Sequence, residues 1–386
     1  MSFTAIIFIV VLSILVLAHE YGHFFVARRF GVKAEEFGLG FPPRAIGWYK
    51  NKKGKWLMIT GSRSVESLVT SNKEEEQPAP QATVYSLNWL PLGGFVKIKG
   101  ENGEGENDTD SFVAKSIGRR VLILTAGVFM NIVLAWFLLS VGYVIGLPQS
   151  MDTLGSNATL SDSQVIIAQV LPDSIAAKAG LEMGDVIMSV NGSLVTTEKN
   201  LQDLVANSNG QEANLLVERN NKEQTITVVP QASEGERAVI GVAIFSSGLV
   251  SYPFFSAFWE GARTTAWILG QIFVAFYDLF LSIFQGAAVG DQFAGPVGIA
   301  TITGQAARLG FSHLLQFMAL LSLNLAVLNI IPFPALDGGR VLFLLIEKIK
   351  GSPVRREVEA IFHNIGFLLL IALVIFITYR DIIKIF

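Results

Sequence analysis

Four stretches of this chain, at 3–27, 121–147, 314–332 and 361–379, are apolar over roughly the 20 residues needed to cross a bilayer core. In lipid each must satisfy its own backbone hydrogen bonds, which makes it a helix. Composition agrees. Of 386 residues 51% are hydrophobic and only 16% charged, against roughly 25% charged in an ordinary soluble domain. That excludes a disordered chain and points to membrane residence. The net charge of -3 argues against a nucleic-acid binder, so no nucleic-acid partner is expected. Absence of cysteine removes disulfides, thiolate zinc sites, iron–sulfur clusters and cysteine nucleophiles together. Any metal must be held by nitrogen and oxygen, and four histidines supply the imidazoles.

The first stretch lacks the basic start and small-residue cleavage site of a signal peptide, and it carries His19, Glu20 and His23 near its end. It reads as a retained span occupying 1–30. A polar region at 31–118 follows, with strand-and-turn patterns at 37–43 and 91–98 and a flexible insertion at 51–81 rich in glutamate and proline. The second span covers 119–147, and the third and fourth lie at 314–340 and 361–379. Between them, 156–247 alternates short strands with a short helix at 174–179 and an amphipathic one at 197–207, an inserted α+β module. A fifth apolar stretch, 266–284, carries Gln271 and Asp278 and follows an amphipathic run at 254–263. It is expected to be membrane-associated, as part of 254–298, without spanning. The fold class is therefore a polytopic α-helical membrane protein with four transmembrane helices.

Lysine and arginine cluster after the first span (Arg28, Arg29, Lys33, Arg44), before the second (Lys115, Arg119, Arg120) and between the last two (Arg340, Lys348, Lys350, Arg355, Arg356). By the positive-inside bias these segments are cytosolic, leaving both termini and the α+β module outside.

His19-Glu20-Tyr21-Gly22-His23 is an H-E-x-x-H motif. On a helix, residues four apart share a face, so both imidazoles can hold one Zn²⁺ with Glu20 beside the open position as a base. Ionisable groups inside an apolar helix default to a functional reading. A third ligand is needed. His313 and His363 sit at span boundaries, where a polar group has an ordinary interfacial role. Asp337 follows the broken run Asn329-Ile330-Ile331-Pro332-Phe333-Pro334 and precedes Gly338-Gly339. Prolines forbid regular helix there, glycines allow close backbone approach, and irregular backbone at membrane depth lines a cavity or is buried in protein. Asp337 is the expected third ligand. For His23 and Asp337 to meet, the first and third spans must run the same way, which allows one crossing between them and puts the metal near the cytosolic side.

These residues, with Pro91 to Lys97, Gly295-Pro296-Val297-Gly298 and Asn329 through Arg340, resemble the site-2 proteases, intramembrane zinc metalloproteases of the bacterial regulator-of-sigma-E type. The module resembles a single PDZ domain through Ala176 to Leu181 and Gly184 to Ile187. The resemblance implies an enzyme of the bacterial inner membrane that cuts transmembrane segments of single-pass proteins. Its substrates would be anti-sigma factors, already trimmed by a site-1-type protease, or signal-peptide remnants. It matches His19, His23 and Asp337 to zinc ligands and Glu20 to the catalytic base. Asn324, Asn329, Pro332 and Pro334 match positions near the substrate, and Gly93, Gly94, Phe95 and Val96 match a membrane-associated hairpin edge that pairs with it. The PDZ module would bind a peptide C-terminus between 164–170 and the 197–207 helix, or act as a steric filter. Where the family often shows Gly-Pro-x-x-Asn in the second span, this chain has Gly127-Val128-Phe129-Met130-Asn131. Two other readings of the same residues are a catalytically silent adaptor working through the PDZ module and a zinc transporter.

Overall fold

The computed structural model describes residues 2–61, 77–79, 81–103, 105, 107–150, 159–171, 173–208, 210–219, 222–231, 238–285 and 295–385. Contacts divide the chain into one unit of Met1–Leu139 with Gly261–Phe386 and a second of Ser140–Glu260. Most of the insertion at 51–81 lies outside the described residues.

The first unit is built on α1 (Ser2–Arg29) and α2 (Ile117–Ile145), the long helices of the first two apolar stretches. Later in the chain come α5 (Phe254–Phe284), α6 (Pro296–Leu309), α7 (Phe311–Ile330), α8 (Asp337–Lys350) and α9 (Arg356–Ile385). Five helices among the described residues, α1, α2, α5, α7 and α9, are long and apolar enough to cross a membrane. The sequence selects four. The fifth, α5, runs unbroken through both the amphipathic run and the apolar stretch that follows it. Its internal Gly261 and Gly270 cost about 1 kcal/mol each, too little to break a helix of this length.

The third span is shorter than expected. Helix α7 stops at Ile330, and Asp337 opens the separate helix α8 instead of ending the span. Pro332 and Pro334 offer no N–H to continue the ladder. The buried residues Leu315, Met318, Ala319, Ser322, Leu323, Ala326 and Val327 recur at helical spacing on one stripe of α7. Within that stripe the Ser322 hydroxyl donates to the Asn131 carbonyl at 2.8 Å, joining α7 to α2. The Asp381 carboxylate of α9 accepts the N–H groups of Gly295 (3.2 Å) and Gly298 (2.8 Å). A carboxylate at a helix N-terminus satisfies orphan donors and favours the dipole, and this one anchors α6.

Between α1 and α2 lies a sheet of β1 (Ala34–Lys50), β2 (Trp56–Thr60) and β3 (Val84–Ile98), in the order β2-β1-β3. Part of the expected flexible insertion is thus a strand, in which Ile59 is buried against Tyr49 and Val84. β1 pairs twice with β3. Its first half meets 94–98 (Phe37 opposite Val96, Gly38 opposite Phe95) and also 84–87, leaving 94–98 on the sheet's edge. One face of the sheet is apolar and exposed, with Trp48, Trp56, Met58 and Trp89. Beneath it Arg44 and Glu36 form a buried two-bond ion pair at 2.9 and 2.5 Å. Beyond the edge strand, Lys99 pairs with Asp110 (2.7 Å) and Asp108 (2.9 Å). The bond to Asp110, against a smaller desolvation penalty, raises the Lys99 pKa.

The second unit holds β4 (Leu147–Ser150), β5 (Thr159–Val170), α3 (Ile175–Ala179), β6 (Val186–Val190), β7 (Ser193–Leu194), α4 (Glu198–Asn207), β8 (Ala213–Arg219), β9 (Lys222–Val228) and β10 (Val242–Ser251). The sheet order is β4-β10-β5-β6-β8-β9, with β7 paired to β6. Val165, Ile167, Ile187, Leu201, Leu215 and Val217 form the core. Ser174 caps α3 by accepting from the Ala177 N–H, and Gly180 ends it in the left-handed region that glycine tolerates. The expected groove beside 164–170 is not there: β5 is paired on both sides, by β10 and β6. Helix α4 is instead fastened to β10, where Glu198 and Ser246 exchange two hydrogen bonds at 3.1 and 2.7 Å.

Candidate metal centre

Three side chains converge where the C-terminal part of α1 meets the first residue of α8. His19 Nε2 lies 3.0 Å and His23 Nε2 3.3 Å from Asp337 Oδ2, and the two ring nitrogens are 3.1 Å apart. Among the described residues this is the one group of three metal-ligating side chains within reach of a single ion. Adjacent ligands of tetrahedral zinc, at bond lengths near 2.05 Å, stand about 3.3 Å apart, so the triangle has the size of one face of such a site. The electrostatics fit as well. Asp337 Oδ2 is buried and neither histidine approach has hydrogen-bond geometry, so the oxygen's lone pairs meet no donor. A cation would satisfy it.

The imidazoles are set from behind. His23 Nδ1 lies 2.8 Å from the Ile123 carbonyl, which can only accept. Nδ1 therefore carries the proton and leaves the Nε2 lone pair to the centre. The Asn131 amide sits 3.2 Å from His19 Nδ1, and its Oδ1 is buried without a partner. Turning that amide over places Oδ1 on an Nδ1–H and frees His19 Nε2 in the same way. Asn131 and Gly127 escape a sequence reading as site residues. A Cβ on Gly127 would stand 2.6 Å from His19 Cε1 and closer still to His23 Nε2. The signal for both was available: a small residue and a polar amide, four apart, on one face of an apolar helix.

The loop of 331–336 delivers Asp337. Both glycines after it are needed, since a Cβ on Gly338 would meet the Ile330 and Ile331 carbonyls and one on Gly339 the Phe333 carbonyl. Glu20, beside the ligands, has its Oε2 held by the Val96 N–H at 3.1 Å. The edge strand thus runs along α1, with Gly93 against Val16 and Gly94 against Leu17. Phe95 and Val96 are partly buried there. The Asn324 amide donates to the Leu320 carbonyl of its own helix at 2.9 Å. Pro332 is exposed, Asn329 partly buried, and Pro334 packs on α9 at Gly366. Of the remaining histidines, His363 donates nothing to the triangle but accepts the Ala335 N–H.

Comparison with known proteins agrees with this chemistry. The profile of peptidase family M50 matches residues 7–60 and 76–373. A protein of Bacillus subtilis named regulator of sigma-W protease RasP is 30% identical over 437 residues, covering 99% of both chains. A zinc metalloprotease RasP of Oceanobacillus iheyensis is 29% identical over 445 residues, again with 99% of both covered. Among solved structures, a PDZ domain of an SdrC-like protein from Listeria monocytogenes aligns with 22% of this chain and 92% of its own, at 18% identity and a TM-score of 0.21. Matched along nearly its whole length, the chain belongs to peptidase family M50, the site-2 proteases, and is a zinc metalloprotease.

Proposed function

We propose that the protein cleaves transmembrane segments of single-pass membrane proteins, with zinc held by His19, His23 and Asp337 and with Glu20 as general base. The observation that carries this reading is the triangle of 3.0, 3.1 and 3.3 Å beside a carboxylate. Zinc bound there supplies Lewis-acid polarisation of the scissile carbonyl and acidifies water. Glu20 would accept a proton from that water and return it to the leaving amine; before a substrate docks, its carboxylate is held by the Val96 N–H.

A helical substrate must unwind before its backbone can be reached, and its freed groups need partners in lipid. The edge at Gly94 to Ile98 can supply them by strand addition, close to Glu20. Asn324, Asn329, Pro332 and Pro334 lie on or just after α7, where an unwound segment would pass. The exposed tryptophan-bearing sheet face suits the lipid interface. The name of the Bacillus subtilis relative supports an anti-sigma factor as substrate, after trimming by a second protease; a remnant signal peptide meets the same requirements.

Four crossings fit better than five. His363 lies level with the Asp337 loop, and Asp381, 18 residues further along α9, is about 27 Å away at a rise of 1.5 Å per residue. Gly295 is bonded to Asp381, so ten residues, 285–294, separate the end of α5 from a point that this reading puts at the far side of the bilayer. Had α5 crossed, those residues would return through about 30 Å of hydrocarbon almost fully stretched, with bare backbone. We therefore place α5 on the outer side with the PDZ-type module at 156–247 and both termini, and the centre near the cytosolic face of the inner membrane.

The test is cleavage of a transmembrane peptide by the purified protein in liposomes. Cleavage should stop on chelation, return with zinc and be absent in Glu20→Gln, which should keep its zinc. A Glu20→Gln protein that still cuts, or full activity without zinc, would overturn the reading.

A further inference from the structure

We propose that His363, on α9, positions the loop that presents Asp337 to the metal; this rests on the reading of Asp337 as a ligand. The loop between α7 and α8 has few ties of its own. Pro332 and Pro334 have no N–H, and the donors at Ile331, Phe333 and Leu336 go to Val327, Ile331 and Phe333 within the same stretch of chain. Among the described residues, the Ala335 N–H is the loop donor given to another element, reaching His363 Nδ1 at 2.9 Å. Ala335 stands at a φ of +69°, a left-handed conformation that costs a non-glycine residue about 1 kcal/mol and persists only when its surroundings enforce it.

Helix α9 is shaped to enforce it. His363 and Gly366 are three apart and share a face. Pro334 rests on Gly366 so closely that a Cβ there would overlap the proline ring. The His363 ring is held in turn by Phe343 of α8, 5.7 Å between centroids, and a Cβ on Gly339 would stand 3.4 Å from its Cε1. One turn of α9 therefore grips the two residues, Pro334 and Ala335, that precede Leu336 and Asp337. Accepting at Nδ1 puts the ring proton on Nε2, which is buried with no partner among the described residues, on the wall of a cavity of about 700 Å³. His363 touches neither zinc ligand nor substrate strand. Its effect on the reaction passes through the backbone of Ala335, whose N–H would lose the acceptor that ties the loop to α9.

All three variants lose the ring that packs on Phe343, and they differ from one another in what they offer at the Nδ1 position. An asparagine places Oδ1 where Nδ1 stands and can accept the Ala335 N–H; glutamine is also an amide but overshoots it; leucine offers no acceptor. Zinc affinity of each purified protein in detergent is measured by competition with a chromophoric chelator, beside wild type and Asp337→Asn. His363→Leu and His363→Gln should bind zinc on the order of tenfold more weakly, as loss of an outer partner of a metal ligand does, and His363→Asn close to wild type. If His363→Leu does not fold, the glutamine and asparagine pair carries the comparison. Wild-type affinity in His363→Leu or His363→Gln, with Asp337→Asn impaired, would overturn the role of His363 and leave the ligand assignment standing. Equal weakening in His363→Asn and His363→Gln would overturn it too, by showing that ring packing and not the acceptor matters. Wild-type affinity in Asp337→Asn would remove Asp337 as a ligand and the proposal with it.

Discussion

A single hydrogen atom at position 127 decides how near α2 can come to the two imidazoles. Any Cβ there occupies space belonging to His19 Cε1 and His23 Nε2, and neither ring can retreat without leaving the triangle. Gly127→Ala should therefore insert and fold but bind zinc substoichiometrically, a result read by elemental analysis of the purified protein. His19, Glu20 and His23 were legible because their spacing is local and the helix alone puts them on one face. Asp337 was legible for a different reason, as an acid at a break in an apolar run. Gly127 and Asn131 carry a local signal, a small residue and an amide four apart in an apolar helix, but what they face is set by a helix about a hundred residues away in sequence. Asn324, matched to a substrate-side position only by family resemblance, donates its amide to the Leu320 carbonyl of its own helix.

Among elements, the ones that followed their local chemistry were the easiest to foresee. The short helix capped by Ser174 and Gly180, and the amphipathic α4 with Leu201 and Val205 inward, appear where the sequence places them. Strand β2 was hidden because Trp56 and Met58 alternate with partly or fully buried residues on a sheet whose exposed face is itself apolar, so the usual polar alternation is missing. The groove beside β5 failed because strand order is a long-range property: β10, the last strand of the module, inserts beside it. That module depends on one ion cluster. Asp185 is wholly buried and takes two bonds from Arg219, at 2.6 and 2.7 Å, while Arg219 also holds Glu182 and the Gly180 carbonyl. Removing the guanidinium leaves the buried carboxylate with the Glu182 N–H, at 2.9 Å, and no countercharge. Arg219→Ala should cost about 2 kcal/mol and lower the module's thermal midpoint in the full-length protein, with zinc content unchanged.

For the molecule as a whole, the disagreement to resolve is between five helices able to cross and four that the depth argument allows. Because the chain has no cysteine, one introduced residue reports its own side of the membrane without background. Gln285→Cys, at the end of α5, should react with an impermeant maleimide from the same side as Met183→Cys in the module. Reaction from opposite sides would mean that α5 spans and that the order of crossings must be redrawn. Length and composition do not separate these cases, since α5 passes both criteria; the Gly295–Asp381 bond is the observation behind the proposal of four.

The tether between the Val96 amide and Glu20 carries an implication for timing. An incoming strand that docks along this edge needs the very N–H that the carboxylate now holds. Recognition and release of the proton acceptor would then be one exchange of partners, so that an idle protease keeps its reagent occupied and a properly seated guest is what sets it loose.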